Sequence, residues 1–300
     1  MQILFASRIN ETNSLEQAKI ELNTSVERST KLYNSLFLLL IEIFHLAETK
    51  LEQAKNKMRP SLEDKNPNLK FVENKVLAFL KEEADIAQII ETHRYNLHES
   101  IPKRILADIM SSAEYNRYMS LKRNSIDDDR KMLNFILKNY FIESEQLDEN
   151  LEDKSIYWND EVEFIISLIL QRVRKVTQKL IATNDYIDTE EFATPGDESD
   201  KKFALELLIK TFQTREKNYD IIKNQLINWD VERIAQIDAI LIEMAMTELL
   251  HFPEIHTTVT LFEYVEISKY YSTEKSNTFI NGVLDKMLLK FREEKLVTKP

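Results

Sequence analysis

Glycine is almost absent from this chain: 300 residues contain two, Gly196 and Gly282. Loops that cradle phosphates and folds that bind dinucleotides need several glycines within a short span, because only a missing Cβ lets the backbone turn that sharply or approach a ligand that closely. Both are excluded. The remaining building blocks need no glycine, and apolar residues recur at helical spacing almost throughout. Leu36, Leu39, Leu40, Ile43, Phe44, Ala47 and Leu51 make one stripe, and Val162, Ile165, Ile169, Val173, Val176 and Leu180 make a second with the three-and-four spacing of a helix seam. No stretch alternates apolar and polar residues as a half-buried strand does. The pattern predicts an all-α protein. Within it, Gly282 sits inside the helical run Phe279-Ile280-Asn281-Gly282-Val283-Leu284-Asp285, where glycine costs about 1 kcal/mol relative to alanine. The reading is that Gly282 lets a neighbouring helix pack closely and that Asn281 bonds a nearby backbone group, both structural roles.

The chemistry left open is narrow. An apolar content of 43% is enough for a core, and the absence of cysteine removes disulfides and every cysteine-based metal site. The closest histidine pairs, His93 with His98 and His251 with His256, are spaced so that the rings point apart on a helix. No serine stands in a strand-turn-helix elbow. No cofactor, no metal and no enzymatic activity are expected. The densest apolar run, 36–46, is interrupted by Glu42 and His45, so no membrane span is expected. The opening Met1-Gln2-Ile3-Leu4-Phe5-Ala6 lacks the basic flank of a signal peptide, and a cytoplasmic location follows as the expectation.

Charge is unevenly spread. The last 100 residues hold 14 Lys+Arg and 15 Asp+Glu, the first 200 hold 26 and 36, and the chain carries −11 in all. Nucleic-acid backbones are bound by Lys and Arg displacing counterions, so any such site must be local or shared with a basic partner. Turn formers cluster at 59–68, 125–129 and 194–197. The last cluster is taken as the boundary between a helical N-terminal region, 1–195, and a C-terminal domain, 196–300. In that domain the expectations are one helix over 203–227, an N-cap at Asp230, a capping box from Thr260 to Glu263, and an N-cap at Ser272. Earlier in the chain, Asp127, Asp128 and Asp129 read as a solvated helix start. Arg172, Arg174, Lys175 and Lys179 read as a basic helix surface.

Three successive helices at the C-terminal end carry a family resemblance. Asp238 and Glu248-Leu249, then Val259, Glu263, Val265, Glu266 and Lys269, then Ser276, Phe279, Asn281, Gly282, Val283, Leu284 and Asp285 resemble the NusB family of transcription antitermination factors in order, spacing and residue type. The resemblance covers about the last 70 residues. It implies an all-helical NusB-like bundle with an extended N-terminal helical region. It also implies binding of boxA-type single-stranded RNA together with the ribosomal protein NusE, within an antitermination complex on RNA polymerase that serves ribosomal RNA synthesis. The family's RNA-facing turn corresponds here to Tyr271, Ser272, Lys275, Ser276 and Phe279, and its partner-facing helix to Asp238 and Glu248. The chemistry is consistent: aromatic faces stack unpaired bases, while Lys, hydroxyls and a helix N-terminus receive phosphates.

The chain also departs from the family pattern. Members typically open on an arginine-rich segment that helps hold RNA, whereas this chain opens on Met1-Gln2-Ile3-Leu4-Phe5. An upstream start, a reduced RNA affinity, or compensation by Arg8 and the cluster 172–179 are the open readings. His256 replaces a usual proline, Phe262 a usual asparagine, and Glu243 a customary arginine beside the presumed partner surface. The alternative to an RNA-binding factor is a NusB-like interaction scaffold that has lost direct RNA binding.

Overall fold

The computed structural model describes residues 1–9, 14–93, 96–122, 125–155, 158, 161–183, 185, 198–225 and 234–300. Among these the regular elements are helices only, and they divide into two compact units, Ser25–Asp197 and Met1–Thr24 with Glu198–Pro300. In chain order they begin with α1 (Gln2–Ile9) and α2 (Leu15–Lys55), which crosses the division.

The unit Ser25–Asp197 holds the rest of α2, then α3 (Leu62–Lys65), α4 (Lys75–Glu82), α5 (Ala84–Thr92), α6 (Ser100–Ser111), α7 (Ala113–Ser120) and α8 (Ile126–Ile136). A π-helical segment, Leu137–Ile142, leads on to α9 (Glu145–Lys154), α10 (Val162–Lys175) and α11 (Gln178–Thr183). By length and composition α2 contains one 18-residue window apolar enough to cross a membrane, yet 67% of that window is buried in the protein. Its apolar side chains, Leu36, Phe37, Leu39, Leu40 and Ile43 among them, are core residues. Each such burial contributes about 1.5 to 3 kcal/mol. Phe44 stacks on Phe71 with ring centroids 4.2 Å apart.

Three sequence readings change in this unit. Arg172 does not belong to a basic surface. It is buried, forms a bidentate pair with Asp85 at 2.5 and 2.5 Å, lies 3.8 Å from buried Glu83, and donates to the Tyr33 hydroxyl at 3.2 Å. The Val162-to-Leu180 seam spans a break after Lys175, where Val176 is extended and the Thr177 hydroxyl accepts the Leu180 N–H. Ser125 caps α8 as the aspartate run suggested, but Asp129 is buried. It accepts the Tyr118 hydroxyl at 2.6 Å and the Lys75 N–H at 2.9 Å.

The other unit holds α1, the start of α2, α12 (Glu198–Gln213), α13 (Arg215–Gln225), α14 (Gln236–His251), α15 (Thr257–Tyr271) and α16 (Ser276–Glu293). Helix α14 is its axis: every residue from Ile240 to Leu249 is buried, and α1, α12, α13, α15 and α16 all pack on it. A helix that is buried all round lies in a core. The single helix expected over 203–227 is two, broken at Thr214, whose hydroxyl bonds Lys210 O and accepts from buried Asn218. Residues 227 and 230, expected to end that helix and to cap the next, lie outside the described residues. So does the 194–197 cluster.

Helix α15 starts four residues earlier than a capping box with Thr260 as N-cap requires. His256, the residue in place of the usual proline, is its N-cap, and the ring Nδ1 accepts the Thr258 N–H. Thr260 is consequently inside the helix, fully buried, with a hydroxyl that has no hydrogen-bond partner among the described residues. Ser272 ends α15 rather than starting α16: its N–H bonds Ser268 O at 3.0 Å.

Candidate functional site

The turn between α15 and α16 is ordered from below. Asp238, in the first turn of α14, has one carboxylate oxygen 2.5 Å from the Ser272 hydroxyl and the other 2.8 Å from the Ser276 hydroxyl. The two hydroxyls are themselves 2.9 Å apart, and Thr273 Oγ1 lies 2.8 Å from that of Ser276. Asp238 is 5% exposed and Ser276 2%. A carboxylate that accepts two hydroxyl protons satisfies its own buried charge and fixes both serines. The turn is therefore held at both ends by one side chain from a helix at the centre of the unit.

The five residues assigned to the RNA-facing turn separate accordingly. Tyr271 is 41% exposed and Lys275 is exposed, on the rim of the turn. Ser272 and Phe279 are half-buried, Phe279 packing against the core. Ser276 is sealed within the turn, where its hydroxyl is bonded to Asp238 and lies within hydrogen-bond distance of Ser272 and Thr273. Tyr270, which the sequence reading passed over, is 82% exposed and adjoins Tyr271. Two neighbouring tyrosines at the C-terminal end of α15 and a lysine at the N-cap of α16 give a surface able to stack planar bases and attract phosphates.

The two residues assigned to a partner-facing surface are both buried. Asp238 lies under the turn, and Glu248 is 6% exposed with its carboxylate accepting the Tyr264 hydroxyl at 2.9 Å. Both are turned inward because α14 has no solvent face over this stretch. Burial and the adjacent Glu248 carboxylate push the Tyr264 hydroxyl well above its ordinary pKa, so it stays a donor. Glu243 is equally inward and pairs with Arg8 from α1. Burial pushes the Glu243 carboxyl up and the Arg8 guanidinium down, each opposed by the other's charge, and Arg215 also lowers both. The exchange of a customary arginine for Glu243 is thus answered within the unit by Arg8, which is committed to that pair.

Gly282 and Asn281 also differ from expectation. Gly282 is exposed, and a Cβ placed on it meets no atom within 4 Å. No neighbouring helix packs closely there. Asn281 is exposed too, and its amide donates to the Asp285 carboxylate at 3.0 Å instead of to backbone.

A family model described as the NusB family matches residues 164–289. The chain is 39% identical over 93 residues to the transcription antitermination protein NusB of Clostridium botulinum, covering 70% of that protein and 31% of this one. This chain belongs to the NusB family. It is also 43% identical over 103 residues to the NusB protein of Salinibacter ruber, spanning 64% of that protein's length and 34% of its own. With the NusB protein of Methylacidiphilum infernorum the identity is 33% over 105 residues, 73% of that protein and 35% of this chain. No solved structure matches. The all-α NusB-like fold is thereby supported by family and by architecture, and most of Ser25–Asp197 lies outside the matched span.

Proposed function

We propose that this NusB-family chain is a non-enzymatic, cytoplasmic transcription antitermination factor. It binds boxA-type single-stranded RNA together with the ribosomal protein NusE and joins an antitermination complex on RNA polymerase during ribosomal RNA synthesis. The observation that carries the reading is the turn anchored by Asp238, which leaves Tyr271 and Lys275 exposed beside the start of α16. Base stacking on an aromatic face is worth about 1 to 3 kcal/mol per base, and a lysine at a helix N-terminus adds attraction for phosphate. We assign this function to 196–300 and treat 1–195 as a first NusB-like helix followed by a helical elaboration.

Two observations favour a second reading, a scaffold that binds protein without RNA: the net charge of −11 and the commitment of Arg8 to Glu243. A cationic companion such as NusE offsets that charge, which is why the ternary complex is the decisive species. Binding of a labelled boxA-type RNA to the intact chain, at low salt and with or without NusE, tests the proposal. RNA bound more tightly in the presence of NusE supports it. NusE bound with no RNA retained, at any salt, leaves the scaffold reading in its place.

A further inference from the structure

Gly282 is an unspent glycine. It lies inside the 18-residue helix α16, exposed, with no atom of the described residues within 4 Å of the position a Cβ would take. No contact among the described residues requires it, and alanine there would favour the helix. The space is therefore reserved for something outside the chain, and the surrounding side chains indicate what. At 3.6 residues per turn, Lys275, Gly282 and Lys286 fall within about 40° of one another on the helix, with the lysines about 10 Å and 6 Å from the glycine along its axis. Both lysines are exposed, and among the described residues neither ammonium has an ion-pair partner. Phe279 borders the stripe on one side. On the other, the Asp285 carboxylate is drawn along the helix flank by the Asn281 amide, which leaves the floor between the lysines without a facing anion.

The geometry points to a track for the sugar–phosphate backbone of single-stranded RNA along α16, passing directly over Gly282 with phosphates held by Lys275 and Lys286. The inference rests on the reading of the adjoining turn as an RNA surface and extends it by about two helical turns. Gly282 is what permits contact there: a chain of sugars and phosphates can touch the helix backbone only where no side chain stands. Two cations flanking a bare stretch of helix suit a polyanion; exposed Leu289, on the same face two turns beyond Gly282, lies past Lys286 and outside the stretch between the lysines.

Three variants of the full chain test this against a fluorescein-labelled single-stranded boxA-type RNA, each also followed by thermal unfolding. Gly282→Ala is expected to melt about 2 °C higher, because it removes a helix-breaking residue, and to bind RNA about tenfold more weakly. Lys286→Gln is expected to melt unchanged and to lower the magnitude of the salt dependence of log affinity by about 0.7, the loss of one phosphate contact. Tyr271→Ala reports on the turn alone. If Gly282→Ala binds RNA within about twofold of the unmodified chain while Tyr271→Ala weakens it, the track is wrong and the turn survives. If Gly282→Ala melts lower, the glycine serves the fold and the inference fails. If it weakens NusE capture with RNA affinity unchanged, the stripe belongs to a protein partner. Absence of RNA binding by the unmodified chain, with and without NusE, removes the reading of the turn and the track together.

Discussion

At the scale of single residues, the acidic side chains of α14 changed meaning most. Asp238 and Glu248 are compatible with a solvent-facing helix in sequence, since exposed carboxylates are common on helices, but both are buried. Asp238 instead carries two serine hydroxyls. Replacing it with alanine removes the charged acceptor that the half-buried Ser272 hydroxyl and the buried Ser276 hydroxyl share, a cost of about 1 to 3 kcal/mol, and frees the turn. Asp238→Ala is therefore expected to lower the urea midpoint and to weaken RNA binding, while Asp238→Asn, which can still accept one hydroxyl, retains part of both; equal loss in the two variants would contradict the anchoring role. Glu243 gives a pH prediction. Its carboxyl is raised by burial, so the folded state holds that proton more tightly than the unfolded chain. Its contribution to stability is complete below the unfolded value of about 4.3 and is lost as pH rises through the folded value. Urea midpoints followed upward from about pH 4 should fall in the unmodified chain relative to Glu243→Gln; a difference of the opposite sign would contradict the assignment.

At the scale of elements, boundaries moved by a few residues and the chemistry moved with them. Once α15 is capped by His256, Thr260 becomes an interior residue whose buried hydroxyl has no partner among the described residues. Thr260→Val keeps the shape and removes the orphaned group, and should raise stability by about 1 kcal/mol in thermal or urea unfolding. A loss of comparable size would show that the hydroxyl is satisfied after all. The helical class, the first core stripe and the second as far as Val173 were legible, because a 3.6-residue period repeated over several turns leaves little choice of face. The turn's exposed rim, Tyr271 and Lys275, was legible through the family pattern. Its anchor was not: Asp238 and Ser276 are 38 residues apart, and no local pattern encodes a hydrogen bond across that distance. Arg172 was misread for the same reason. A basic run at the end of α10 looks solvated until α4 and α5 bring Glu83 and Asp85 to it.

At the scale of the whole molecule, the division into two compact units separates two kinds of content. Most of Ser25–Asp197 lies outside the family match and is closed by its own network around Arg172. The last 100 residues carry most of the NusB match and are nearly balanced in charge, and the basic side chains of their unit are divided between internal pairs such as Arg8 with Glu243 and exposed positions such as Lys275. An acidic protein that binds RNA does so through few contacts, so removing one stacking face and one ammonium should be decisive. The measurement that tests this most directly is the affinity of the intact chain, with NusE present, for boxA-type RNA before and after the double change Tyr271→Ala and Lys275→Gln. The account predicts a loss of at least about tenfold with the melting temperature unchanged. Unchanged RNA affinity in a folded double variant would contradict it.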